Sequence, residues 1–363
     1  MQIKEIIEDL EAWAPPILQE NYDNAGLIIG NQGAELSGVL VTLDVTEEVV
    51  EEAINKKCNL IVAHHPIIFK GLKRITGKNY VERTVIKAIK NDIAIYAIHT
   101  NLDNVKHGVN AKIAEKLGLS NLQILEPKSA VLMKLITFVP NEFAEQLKQA
   151  LFAAGAGHIG NYDQCSFSIE GNGTFRAQNG TNPYVGKIGE QHQEIETRIE
   201  AIVPAYQIHK VVLALKEAHP YEEVAYDLVP LANHNNEVGS GMVGELPEPM
   251  NEQAFLAHLK KSLQIENVRY TSFSGDIKHV ALCGGAGSFL IEAAKRSGAQ
   301  AFVTADVKYH EFFDADQALM IADVGHYESE FFTKELIQQQ ILKKIPTFAV
   351  LLSEIKTNPI KYI

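Results

Sequence analysis

Three times in the first third of the chain, a short run rich in valine, isoleucine and leucine gives way to a stretch of helical period. Residues 38–43 (GVLVTL), 60–63 (LIVA) and 94–100 (AIYAIHT) read as strands, and residues 46–57, 81–92 and 108–119 read as helices. Apolar strands alternating with helices predict a largely parallel sheet covered on both faces. Thr46 stands where a helix N-cap belongs, with acids in the turn after it.

The pattern changes in the middle. A strand (131–140), a helix (141–155), a strand (162–171), a glycine- and asparagine-rich loop (171–186), a strand (196–204), a helix (209–220) and a strand (222–231) follow in order. That is the β-α-β-β-α-β succession of the ferredoxin-like split βαβ unit. The last third returns to alternation: strands at 279–285, 299–306, 318–325 and 347–353, with helices at 287–298 and 326–344 between them. The economical fold class is one discontinuous α/β domain with a mostly parallel sheet, residues 1–127 and 233–363, carrying a ferredoxin-like α+β insertion at 128–232.

Composition narrows the partners. The net charge is −12 over 363 residues, with no block of lysine and arginine. Nucleic acid is bound mainly by neutralising phosphates, so this balance argues against it. Cys58, Cys165 and Cys283 are odd in number and far apart, which fits reduced thiols in a cytoplasm. Ile3, Ile6, Ile7, Leu10 and Trp13 recur at helical spacing, so the first residues read as an amphipathic helix and not a signal peptide. No apolar run reaches the ~18 residues that a membrane span needs.

The chemistry gathers at predicted strand ends, where open α/β sheets bind their ligands. His64 and His65 follow the strand at 60–63, and Pro66 turns the chain there. With 13 histidines in the chain, an adjacent pair is weak evidence alone. Its placement is better evidence, because imidazole is the commonest metal ligand. Asp103 lies just past the next strand; alone it would be read as an Asx-turn or a helix cap. His99 reads as core or as support for the ligands. His326 and Glu330 are spaced i, i+4 at the start of a predicted helix and so share one face, while Glu328 falls off that face and reads as solvated. Five ligands exceed what one tetrahedral ion with an open position can use. They suit two divalent ions about 3.5–4 Å apart, with Glu330 as the bridging carboxylate. The mixed imidazole and carboxylate set points to zinc first, with manganese or iron next.

Three further motifs are softer. The turn CGGAGS at 283–288 could offer amides to a phosphate, but a tight structural turn explains it more simply. Asp306, Tyr309 and His310 follow another strand end and could line the pocket. His219, Glu222 and Glu223 could bind a metal, although a strand edge with solvated acids accounts for them.

The segments VAHHPIIF, HTNLDN and DVGHYESE, with YDNAGLIIG before them and TADVKYHE between, resemble the Nif-three-like family, whose members carry the label GTP cyclohydrolase 1 type 2 homologue. The likeness spans the whole chain. HIGNYDQCSF, GNGTFR and HPYEEVAYDL resemble the extra domain of one branch, which is similar to PII and CutA proteins. Ala305 stands where the family carries a glycine, a change that touches no ligand. The resemblance implies a dinuclear site on His64, His65, Asp103, His326 and Glu330, and a toroidal homohexamer whose sites face an internal cavity. Three functions stay open. The first is a metal-dependent hydrolase acting on a nucleotide-like or phosphorylated small molecule, with His99 or His310 moving protons. The second is a non-enzymatic regulatory or metal-handling assembly with a PII-like sensor. The third is a ring around nucleic acid, which the charge opposes.

Overall fold

The computed structural model describes residues 1–363. The chain divides into two compact units, Met1–Pro127 with Glu237–Ile363, and Lys128–Asn236. No helix is long and apolar enough to cross a membrane, and the three cysteines form no disulfide.

In chain order the strands are β1 Gly26–Ile29, β2 Val39–Thr42, β3 Leu60–Ala63, β4 Ala94–Ala97, β5 Ser120–Lys128, β6 Leu132–Pro140, β7 Ser166–Arg176, β8 Gln191–Pro204, β9 Tyr226–Pro230, β10 Asn235–Met250, β11 Arg269–Tyr270, β12 Ile277–Ala286, β13 Ala301–Ala305, β14 Met320–Asp323 and β15 Val350–Leu352. The larger unit holds two sheets rather than the single one expected. One has the order β1-β4-β3-β2-β15 and the other β11-β14-β13-β12-β10-β5. Each has a parallel centre, β4-β3-β2-β15 and β14-β13-β12, with an antiparallel strand, β1 or β11, on one edge. Apolar periodicity marks which segments are buried strands but carries no information on which strands pair. That is why two half-sheets read as one from the sequence.

The parallel strands are mostly apolar, as burial on both faces by helices and loops requires. β2, β3 and β4 are buried at every position. The helix Glu47–Asn55 starts where expected, with the Thr46 side chain accepting a hydrogen bond from the Val49 amide. It turns Val49, Val50 and Ala53 onto the sheet. The first helix, Ile3–Trp13, buries Ile3, Ile6, Ile7 and Leu10, while Trp13 stays half-exposed.

Two other expectations change, and one long strand is added. Residues 326–344 form two helices, His326–Glu330 and Thr333–Lys344, separated at Phe331 and Phe332, whose second ring is buried. The strand β10 has no counterpart among the segments read from the sequence, because glycines and prolines interrupt its apolar pattern. Gly244 is there because another backbone passes close by: a Cβ would lie 3.0 Å from the Ser120 carbonyl oxygen. The segment 171–176 belongs to β7, not to a loop.

The smaller unit has the antiparallel sheet order β7-β8-β6-β9, with the helices Ala144–Ala153 and Ile208–Ala218. Leu135, Val139, Ile199, Ala201 and Val203 pack with Leu147, Leu151, Val211 and Leu215 of the helices. The unit runs to Asn236, past the 232 suggested by pattern, and beyond β9 the Leu231 amide still bonds the Leu132 carbonyl in register with β6.

Candidate metal centre

The carboxyl ends of the parallel strands in the larger unit converge on one cleft of about 840 Å³. Sheet pairing runs past the strand ends and fixes the ligand-bearing turns. The His64 amide bonds the Thr42 carbonyl, the His65 amide that of Leu43, and the Ile98 amide that of Ala63. His64 and His65 follow β3, His99 and Asp103 follow β4, and His326 and Glu330 follow β14 on one short helix.

Four imidazoles are held in the same manner. The Nδ1 of His64 lies 2.8 Å from the Ile98 carbonyl oxygen, that of His65 lies 2.8 Å from Asp44 Oδ1, that of His326 lies 2.7 Å from Asp306 Oδ2, and that of His99 lies 2.7 Å from Asp23 Oδ1. An acceptor at Nδ1 fixes the tautomer and leaves Nε2 as the metal-facing nitrogen, the usual support for a ligating histidine.

The Nε2 atoms of His64, His65 and His326 converge on Glu330, which is 3 % exposed. Its Oε2 lies 3.0 Å from His65 Nε2 and 3.1 Å from His326 Nε2. Its Oε1 lies 3.9 Å from His64 Nε2, which is in turn 3.6 Å from Asp103 Oδ1. Two triads result, His65–His326–Glu330 and His64–Asp103–Glu330, each with ligand atoms within 4.8 Å of one another and each using Glu330. His99 forms a third group with His64 and His65, its ring centroid 5.3 Å from each of theirs. His64 Nε2 and Asp103 Oδ1 are buried without a hydrogen-bond partner. A buried polar atom without a partner is costly, and two facing each other across 3.6 Å fit a cation between them.

The electrostatics agree. Burial pushes the Asp103 carboxyl above the usual carboxylate range, and the Glu330 charge adds to the rise. Burial opposes ionisation of Glu330 as well, but the His326, His64 and His65 imidazoles hold it well below that range. Burial would lower His65, yet Asp44 and Glu330 raise it to about 10, and Glu330 and Asp306 likewise raise His326 to about 9. Protons on these two rings therefore supply the positive charge that a cation would otherwise bring.

The supporting residues extend the site. Burial opposes ionisation of Asp23, but hydrogen bonds from His99 and Thr100 bring its carboxyl down to about 2. Asp306 takes the left-handed backbone region (φ 56°), a costly conformation for a residue other than glycine, and its carboxylate holds His326 from there. Thr357 donates to Asp44 Oδ2 at 2.5 Å, so the segment after β15 supports His65 through Asp44. Asn358 donates to Glu328 at 2.9 Å; Glu328 is half-buried, not solvated as expected. Asp44, Asp23 and Thr357 escaped the sequence reasoning. Asp44 could have been found, since it follows β2 as His64 follows β3.

The glycine-rich turn is structural. The Gly284 amide donates to Asn110 and the Gly285 amide to Ser329, so neither is free for a phosphate. Gly285 (φ 60°) has no room for a side chain, because a Cβ would strike the Glu330 carboxylate. Burial pushes the Cys283 thiol up, with Asp103 and Glu330 adding to it, so it is no thiolate nucleophile. Asp306 lines the cleft, whereas Tyr309 and His310 do not. The short helix Tyr309–Ala315 leaves both exposed, the His310 ring against Tyr309 and Phe313. His219 is no ligand either: one ring nitrogen faces the Phe138 carbonyl and the other the Tyr221 amide.

Fold and cluster together define an α/β protein with buried imidazole and carboxylate groups able to hold a metal ion. The chain belongs to the Duf34/NIF3 family (NGG1p interacting factor 3), whose profile matches residues 1–359. It is 42% identical to a protein of Halalkalibacterium halodurans over 99% of this chain and 98% of that one, and 38% identical to one of Bacillus subtilis over the same shares. Both are named GTP cyclohydrolase 1 type 2 homolog. Among solved structures, a Bacillus cereus protein related to NIF3 superposes with a TM-score of 0.88 at 41% identity, covering 100% of this chain and 99% of that one. A Staphylococcus aureus protein gives 0.78 at 32% over the same shares.

Proposed function

We propose that the cleft holds two divalent cations bridged by Glu330, and that the protein is a metal-dependent hydrolase of a nucleotide-like or phosphorylated small molecule. One observation carries this reading: two separate ligand triads share Glu330, one through each carboxylate oxygen. His64 and Asp103 would complete one position and His65 and His326 the other. Bound there, a cation pair supplies Lewis acidity and a nucleophile at neutral pH, with zinc the first choice and manganese or iron the next. His99, oriented by Asp23, is placed to take up or release a proton through Nε2. Tyr22, Phe69, Tyr80 and Phe289 put exposed rings around the cleft, a lining that suits a planar base. The cleft volume is in the range of small-molecule sites. The name shared by the relatives makes GTP the first substrate to try.

Protein freed of metal by chelation and then reloaded with Zn²⁺ or Mn²⁺ is expected to turn over GTP or a phosphoester only when loaded. His65→Ala should abolish that turnover. Equal rates for the variant and the unaltered protein would assign the activity to a contaminant.

Thr357→Val removes the hydroxyl that steadies Asp44 behind His65. The loss of such an outer partner is expected to weaken metal binding by about 10- to 100-fold, measured by competition with a chromophoric chelator. An unchanged affinity would make Thr357 a packing residue only.

A regulatory or metal-handling role is the second reading. It is favoured by a smaller unit with its own core and its own cavity. Its antiparallel β-α-β-β-α-β topology supports a PII- or CutA-like origin. Under either reading the chain is expected to assemble as a cytoplasmic homohexamer, and sedimentation of a species other than six chains would end that part.

A further inference from the structure

Two motifs that the metal centre leaves unused, GNGTFR at 171–176 and HPYEE at 219–223, meet on the smaller unit. There they bound a cavity of about 560 Å³. Strand pairing sets Ile169 opposite Arg198, Arg198 opposite Phe138, and Gly171 opposite Glu196. Side chains alternate along a strand, so Gly171, Gly173 and Phe175 share a face with Glu196, Arg198 and Phe138. The helices pack on the other face, through Leu135, Val139, Ile199 and Ala201. The cavity thus lies on the sheet face that no helix covers. A loop carrying Tyr184 and the turn carrying Tyr221 arch over it, joined where the Asn182 amide donates to Glu222 at 2.9 Å.

The two glycines form a trough. A Cβ on Gly171 would meet nothing within 4 Å, and the Glu196 carboxylate lies against Gly173. Gly173 is required by the Glu196 carboxylate packed on it, but neither a turn nor packing requires Gly171, and such a glycine is out of place in a strand unless something must approach the backbone. Rings stand around the trough, with Phe175 and Tyr184 centred 6.0 and 6.3 Å from Tyr221. Glu196 forms no ion pair. Arg198, the only cationic side chain in the lining, is engaged by Glu200 at 2.8 Å and lies 5.9 Å over the Phe138 ring. Electron-rich ring faces and a carboxylate that has the Tyr221 hydroxyl beside it but no cationic partner recognise positive charge carried on an apolar body.

We infer that this cavity is a binding site for a small organic cation, an ammonium or amidinium group on an apolar or aromatic body. The cation would sit over Gly171 against Glu196 and be enclosed by Phe175, Tyr184 and Tyr221. The inference does not depend on the metal centre or on any activity of the protein.

The test is calorimetric titration of the full chain with choline, benzyltrimethylammonium and agmatine. The controls are 3,3-dimethylbutanol, the uncharged counterpart of choline, and GTP as an anion. At least one cation is expected to bind once per chain, about tenfold or more tighter than the uncharged control. Glu196→Gln should remove that preference. Gly171→Val should abolish binding with an unchanged melting temperature, since the position is extended and open. Saturable binding of no cation, equal affinity for the uncharged control, a preference for the anion, or full binding by Gly171→Val would each overturn the assignment.

Discussion

If Glu330 bridges the proposed pair of cations, Glu330→Gln is expected to lower the metal content of the loaded protein to one ion per chain or none, read by elemental analysis after loading with Zn²⁺ and dialysis. The substitution keeps the shape of the side chain and an acceptor oxygen, but removes the one charge that both ligand triads share. Losing a ligand on only one of the two positions, as in His326→Ala or Asp103→Ala, should spare the other ion, so these variants should retain about one ion per chain. Removing one partner of a buried ion pair costs about 3–5 kcal/mol. Circular dichroism of the same preparations therefore has to show folded protein. Two tightly held ions in folded Glu330→Gln would show that the carboxylate does not bridge.

The second large effect is the pH dependence of metal uptake. In the metal-free protein His65 titrates at about 10 and His326 at about 9, so both rings are protonated at neutral pH. A metal binds the neutral imidazole, and loading must release those protons. Apparent affinity should therefore climb with pH by up to about 100-fold per unit between pH 7 and 9, and level off above 10. About two protons per chain should appear on loading at pH 7.5, measured by calorimetry in buffers of different ionisation enthalpy. Stability of the metal-free protein moves the other way. A histidine whose folded value is raised contributes stability that is fully present below its unfolded value of about 6.5 and is lost as the pH rises through the folded value. The gap in melting temperature between loaded and metal-free protein should therefore widen from pH 7 to 9. An affinity that stays flat over this range would mean that other groups hold the cations.

The way His65 is held explains both effects and also shows where sequence reasoning stops. That His64 and His65 end a buried strand was legible, because LIVA is a continuous apolar run that a proline-marked turn closes. That His326 and Glu330 share a helical face follows from their spacing alone. Asp44 was hidden, although it stands at an equivalent strand end, because a single aspartate after a strand has no spacing to set it apart from a turn residue. Asp23 and Thr357 were further out of reach. They lie 76 and 313 residues from the groups they hold, and local pattern has no term for such distances. His310 failed for the opposite reason: its position after a strand end looked right, and the short helix Tyr309–Ala315 leaves it exposed.

By itself the sequence determined most of the buried parallel strands and the helices between them, that a β-α-β-β-α-β unit interrupts an α/β chain, and which residue types gather at strand ends. Those features depend on periodicity and on side-chain chemistry, which are local. Only the tertiary structure decided that the parallel strands form two sheets instead of one. It alone sends β15 back beside β2, aims both oxygens of Glu330 at different histidines, and makes a trough of Gly171 and Gly173. Each of these depends on which strand lies beside which, and strand pairing is a long-range choice made by the packing of the whole core.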